Sequence, residues 1–101
     1  MKATHAAALA AVLSTSLLAT AAQAQAVRTE VAKPLAAAGD LLRAGKAREA
    51  LGKVREAEAV GGKNPAEQLL IDKMKGAAAQ RAGDNGTAIA AFESAYASGR
   101  L

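Results

Sequence analysis

Apolar residues recur along this chain at helical spacing. After residue 26 there is no run in which apolar and polar residues alternate as a half-buried strand requires. Val31, Leu35, Ala38 and Leu42 fall at i, i+4, i+7 and i+11, one face of a first helix that Gly45 ends. Ala47, Ala50, Leu51, Val54 and Ala57 form a second stripe, with Arg48, Glu49, Lys53, Arg55 and Glu56 on its opposite face. Gly61-Gly62-Lys63 breaks the chain again, and Asn64-Pro65-Ala66-Glu67 reads as a helix start. There Asn64 can cap, Pro65 suits the first helical position, and Glu67 can reach back to the cap. Ala66, Leu70, Met74, Ala77 and Ala78 give the third stripe. After the break at Gly83-Asp84-Asn85-Gly86, Ala88, Ile89, Phe92, Ala95 and Tyr96 give the fourth. Asn85-Gly86 is a hairpin dipeptide, but it lacks the alternating strands that a hairpin needs on both sides. The pattern predicts an all-α body of four helices.

The second half repeats the first. Arg43, Ala44-Gly45, Ala50-Leu51, Val54 and Ala57 match Arg81, Ala82-Gly83, Ala88-Ile89, Phe92 and Ala95 at a constant offset of 38 residues. Two helix–turn–helix units at such a period mark a helical repeat. At these residues the chain resembles a tetratricopeptide repeat, whose unit is about 34 residues long. The family's small residue, turn glycine and Ala–large–Ala series correspond to Ala38, Gly45, Ala50, Val54 and Ala57 in the first unit. In the second they correspond to Gly76, Gly83, Ala88, Phe92 and Ala95. Leu51 and Ile89 accompany them as packing residues, and Phe92, the sole Phe, is expected to fill the gap between neighbouring helix pairs.

Elsewhere the chain departs from the motif. Pro34 and Asp72 stand at its early aromatic, Ala37 and Lys75 at its leucine, Leu41 and Ala79 at its later aromatic. The period is four residues longer, placed in the loop at residues 61–64. The repeats run over about residues 31–62 and 65–99, and the chain resembles the N-terminal part of a longer exported repeat protein. The alternative reading is an Ala-rich four-helix bundle with a structural or stress role.

The resemblance implies a protein or peptide partner held in a concave groove lined by the first helix of each unit. Mapped here, that groove presents Leu35, Gly39 and Arg43, then Leu70, Lys73, Ala77, Gln80 and Arg81. Arg43, Lys73 and Arg81 would make it basic and suited to acidic peptides. The family's carboxylate-gripping Lys is matched by Lys73, but Gly39 or Ala77 stands where the partnering Asn belongs.

The first 26 residues change the picture of where this body works. Lys2 gives a short positive start, residues 6–18 are apolar and uncharged, and Ala22-Gln23-Ala24 and Ala24-Gln25-Ala26 are small-x-small cleavage sites. Residues 1–26 therefore read as a secretory signal, and residues 27–101 as the exported product, periplasmic or secreted. A membrane span needs about 20 strongly apolar residues, and Ser14, Thr15, Ser16 and Thr20 interrupt this run. Cleavage lowers the formal charge from +4 to +3 by removing Lys2. The remaining cations are interleaved with acids, which does not make a nucleic-acid footprint.

Composition restricts the chemistry. The only histidine, His5, lies in the signal, and the chain has no cysteine. The exported part thus lacks the usual general base, nucleophile and zinc ligands, and no enzyme or cofactor is expected. Glu56 and Glu58 are too close in sequence to share a helix face. Gly61-Gly62-Lys63 lacks the first glycine, the Ser or Thr and the preceding strand of a phosphate loop, and the sequon Asn85-Gly86-Thr87 is explained by its turn. Of all residues 51% are hydrophobic but only 2% aromatic, so the core is alanine-rich and thin. The apolar stripe ending in Phe92, Ala95 and Tyr96 leaves one edge open. A continuation of the chain, a partner or a second copy would cover it, and self-association of the exported part is expected.

Overall fold

A computed structural model describes residues 27–99 of the chain. Residues 1–26, read above as a secretory signal, lie outside these residues. Four helices follow one another: α1 (Thr29–Arg43), α2 (Ala47–Glu58), α3 (Pro65–Ala82) and α4 (Asn85–Ala97), with no strand among the described residues. No helix among them is long and apolar enough to cross a membrane. The all-α, four-helix expectation therefore stands.

The ends of the helices follow from local chemistry. α1 ends in a Schellman turn: Gly45 takes φ +78°, its N–H donates to Leu42 O at 3.1 Å, and Lys46 N–H donates to Leu41 O at 2.8 Å. Thirty-eight residues on, Gly83 takes φ +80°, its N–H donates to Gln80 O at 3.2 Å, and Asp84 N–H donates to Ala79 O at 2.8 Å. The repeat in the sequence is thus a repeat of backbone geometry. α3 begins with the expected capping box. Asn64 Oδ1 accepts from Glu67 N–H at 2.9 Å, and Glu67 Oε1 accepts from Asn64 N–H at 2.9 Å. α4 is capped by Asp84, which accepts from Thr87 N–H and from its hydroxyl.

Each helix pair is an antiparallel hairpin, and the two hairpins stack through α3, which touches α1, α2 and α4. Among the described helices α4 touches α3 alone. The arrangement is an open stack of two units, with no central core closed by all four helices. One core runs through it: Val31, Leu35 and Ala38 from α1; Ala50, Leu51, Val54 and Ala57 from α2; Ile71, Ala78 and Ala79 from α3; and Ala88 from α4. Alanine supplies more than half of these positions, and close approach of backbones replaces large side chains.

The third stripe requires correction. Leu70 is 43% exposed, whereas Glu67, Ile71, Asp72, Gly76, Ala78 and Ala79 are buried. A one-sided stripe is the wrong template for a helix with neighbours on several sides. Ile71, Lys75 and Ala78 share the side toward α2, where Lys75 Nζ meets Glu58 Oε2 at 2.9 Å. Asp72, Gly76 and Ala79 share the side toward α4. There Ser94 Oγ donates to Asp72 Oδ2 at 2.7 Å, and Phe92 lies on Gly76.

Candidate functional site

The clearest candidate is the face of α4 turned away from α3. Ala88, Ala91 and Ala95 are buried toward α3. Ile89 and Tyr96 fall on the other side with Phe92 at its border against α3; spaced i, i+3 and i+7, Ile89, Phe92 and Tyr96 are 58%, 38% and 78% exposed. Together with Glu93 they line a shallow apolar depression in which Glu93 is the sole ionisable carboxylate. Scattered apolar residues on a surface are ordinary, but three large ones in a continuous stripe are not.

Two packing expectations change accordingly. Ile89 is not a packing residue within these two units, because none of the described helices lies over it. Phe92 is only partly buried: the edge of its ring lies against Gly76, where a Cβ would sit 2.5 Å from ring carbons Cε1 and Cζ. Absence of a side chain at residue 76 is what lets the Phe92 ring settle onto α3. The other repeat-packing residues, Ala38, Ala50, Leu51, Val54, Ala57, Gly76, Ala88 and Ala95, are buried, and Gly45 and Gly83 make the turns.

The junction between the units contains a densely hydrogen-bonded ionic group. Glu67 is fully buried. Its carboxylate accepts from Arg28 Nε at 2.8 Å, Arg28 Nη2 at 3.1 Å, Arg28 backbone N–H at 3.0 Å and Asn64 N–H. Arg28 Nη2 also donates to Gly61 O at 3.0 Å. The Arg28 side chain above all, then the backbone donors of Asn64 and Arg28, hold the Glu67 carboxyl down at about 2. This group ties the residue before α1 to the start of α3, 39 positions away. Its donors and acceptors satisfy one another, which marks it as structural.

The expected basic groove is not assembled as one depression. Arg43 pairs with Asp40 one turn back on α1, both exposed. Lys73 and Gln80 are exposed on α3. Arg81 instead lines a depression at the turn end of the stack with Lys46, Arg48 and Glu49. Arg48 continues into a neighbouring hollow with Arg55 and Asp84. The Asp84 carboxyl is lowered by the Thr87 hydroxyl and backbone N–H, with a smaller contribution from the Arg55 charge. Among the described residues no three His, Cys, Asp or Glu side chains are placed to share a metal ion. In comparisons with protein families, curated proteins and solved structures, the chain matches none of them.

Proposed function

We propose that this chain is an exported helical-repeat module for protein–protein interaction in the cell envelope, similar in organisation to a pair of tetratricopeptide repeats. The observation that carries this reading is the uncovered stripe of Ile89, Phe92 and Tyr96 on a helix held by α3 alone. A helical hairpin array buries its faces against neighbours, and here one such face has none among the described helices. Export follows from the signal-like residues 1–26, and the lack of His and Cys after residue 26 speaks for binding over catalysis. A self-contained structural bundle fits less well, because α4 helps to close no central core.

Site-specific photo-crosslinking in envelopes of the producing cell tests this. A photo-reactive residue at Ile89 should give a discrete adduct with another protein, and the same residue at Lys33 should not. The same adducts from both positions, or none from either, would contradict the reading.

A further inference from the structure

The internal repeat states what kind of partner the α4 face fits. At an offset of 38 residues, Ile89, Phe92 and Tyr96 occupy the places of Leu51, Val54 and Glu58 on α2. On α2 this face meets α3: Leu51, 6% exposed, lines a hollow with Ala82 and Gly83, Glu58 bonds Lys75, and Val54 between them is 0% exposed. The bare stripe of α4 is therefore the continuation, one unit further, of an interface this chain already makes. We infer that the α4 face binds an amphipathic helix of α3's kind, donated by a different protein. This rests on the interaction-module reading above.

The chemistry of the occupant follows from the substitutions between the two faces. Phe92 replaces Val54, so the helix above it needs alanine or glycine at the crossing, as Gly76 is needed beneath it. Tyr96 replaces Glu58, so the cation that α3 supplies as Lys75 is not required there. Glu93 instead stands where Arg55 stands on α2, and it calls for a Lys or Arg on the flank of the incoming helix. The partner is thus a helix with an aliphatic and small-residue stripe bordered by a cation.

A second copy of this chain meets that description only in its cation, since Lys46 would come beside Glu93 as Asp84 lies beside Arg55, but its stripe is not apolar. In a head-to-tail stack its α1 would take the place of α3. Lys33 and Asp40 would then fall where Ile71 and Ala78 lie buried. Burying those two charges in such a stack removes their solvation. Symmetric pairing of two α4 faces puts Phe92 against its own bulky stripe and brings two Glu93 carboxylates together.

The test uses the full exported chain and two labelled synthetic peptides copied from it. One covers residues 64–83, the α3 helix, and the other residues 28–46, the α1 helix with its Lys33 and Asp40. Fluorescence anisotropy should show saturable binding of the α3 peptide, and at least tenfold weaker binding of the α1 peptide. Ile89→Glu, at an exposed position, should weaken α3-peptide binding at least tenfold while circular dichroism of the protein is unchanged. Equal binding of both peptides, no binding of either at millimolar concentration, or binding indifferent to Ile89→Glu would overturn the inference. An Ile89-dependent dimer in sedimentation at micromolar concentration would overturn it too, in favour of a second copy. A crosslinked partner at Ile89 together with failure of the α3 peptide would refute the helix assignment while leaving the interaction module standing.

Discussion

α2 and α4 are the same element met twice, and they end in opposite environments. Both follow a Schellman turn with a left-handed glycine, and both turn buried alanines, Ala50 and Ala57 or Ala88 and Ala95, into their own hairpin. What differs is the far side. On α2, Leu51 and Val54 are buried, and the junction with α3 is reinforced by Glu58–Lys75 and by Arg28–Glu67. On α4, Ile89 and Phe92 meet no further helix among the described residues. The same motif positions are core in one unit and surface in the other. Burial in a repeat belongs to the neighbour as much as to the motif.

The largest effect is expected at the seal of the covered junction, which α4 has no counterpart for. Glu67 is held near 2 against an ordinary 4.5. A depressed carboxyl contributes its full stabilisation above about pH 4.5 and loses it as the pH falls toward 2. Thermal melts from pH 6 to pH 2.5 should therefore show a steep loss of stability below pH 4.5. Arg28→Ala should lower stability at pH 7 more than Leu51→Ala does, because it leaves a buried carboxylate without its cation. If Arg28→Ala and its parent melt alike at pH 7, the seal is not what joins the units.

The matched pair Leu51 and Ile89 comes next. Leu51→Ala should cost about 2–4 kcal/mol as a buried leucine truncation, whereas Ile89→Ala should change stability by less than about 0.5 kcal/mol as a surface change. Denaturant titration of both variants checks this, and equal costs would mean that α4 is covered as α2 is. Phe92 falls between them. Its ring is partly exposed but rests on α3, so Phe92→Ala should cost about 1–2 kcal/mol, below the range for a fully buried Phe.

The smallest effect is the sharpest in sign. Gly76→Ala should destabilise the parent, because a Cβ there meets the Phe92 ring at 2.5 Å. In the Phe92→Ala background the same change should stabilise by up to about 1 kcal/mol, the helix propensity gained over glycine. A double-mutant cycle reads this directly. The same sign in both backgrounds would show that the ring does not depend on that gap.

Much of this architecture was legible in the sequence, for local reasons. The stripes of α1 and α2, the glycines at positions 45 and 83, and the Asn64–Glu67 capping box all rest on interactions within a few residues. The open apolar edge at Phe92 and Tyr96 could also be anticipated. What escaped was non-local. Leu70 reads as core and Glu67 only as a capping residue, because a stripe assumes one buried side and α3 has several. The Arg28–Glu67 pair spans 39 residues and has no periodic signature. Ile89 matches Leu51 in the motif, yet only the absence of a covering helix, a tertiary fact, decides its exposure. Asp72 carries the same lesson: it is buried because Gln68 and Ser94 satisfy its carboxylate across a contact the stripe does not foresee.

A face that is covered on α2 is bare on α4, and a reactive side chain reports that contrast directly. The chain has no cysteine, so Leu51→Cys and Ile89→Cys place a single thiol on each face in turn. Under native conditions at low micromolar concentration, the thiol at residue 89 should react with a small maleimide at nearly the rate of the unfolded chain. The thiol at residue 51 should react at least a hundredfold more slowly. Equal protection at both positions, or rapid labelling at residue 51, would contradict the account.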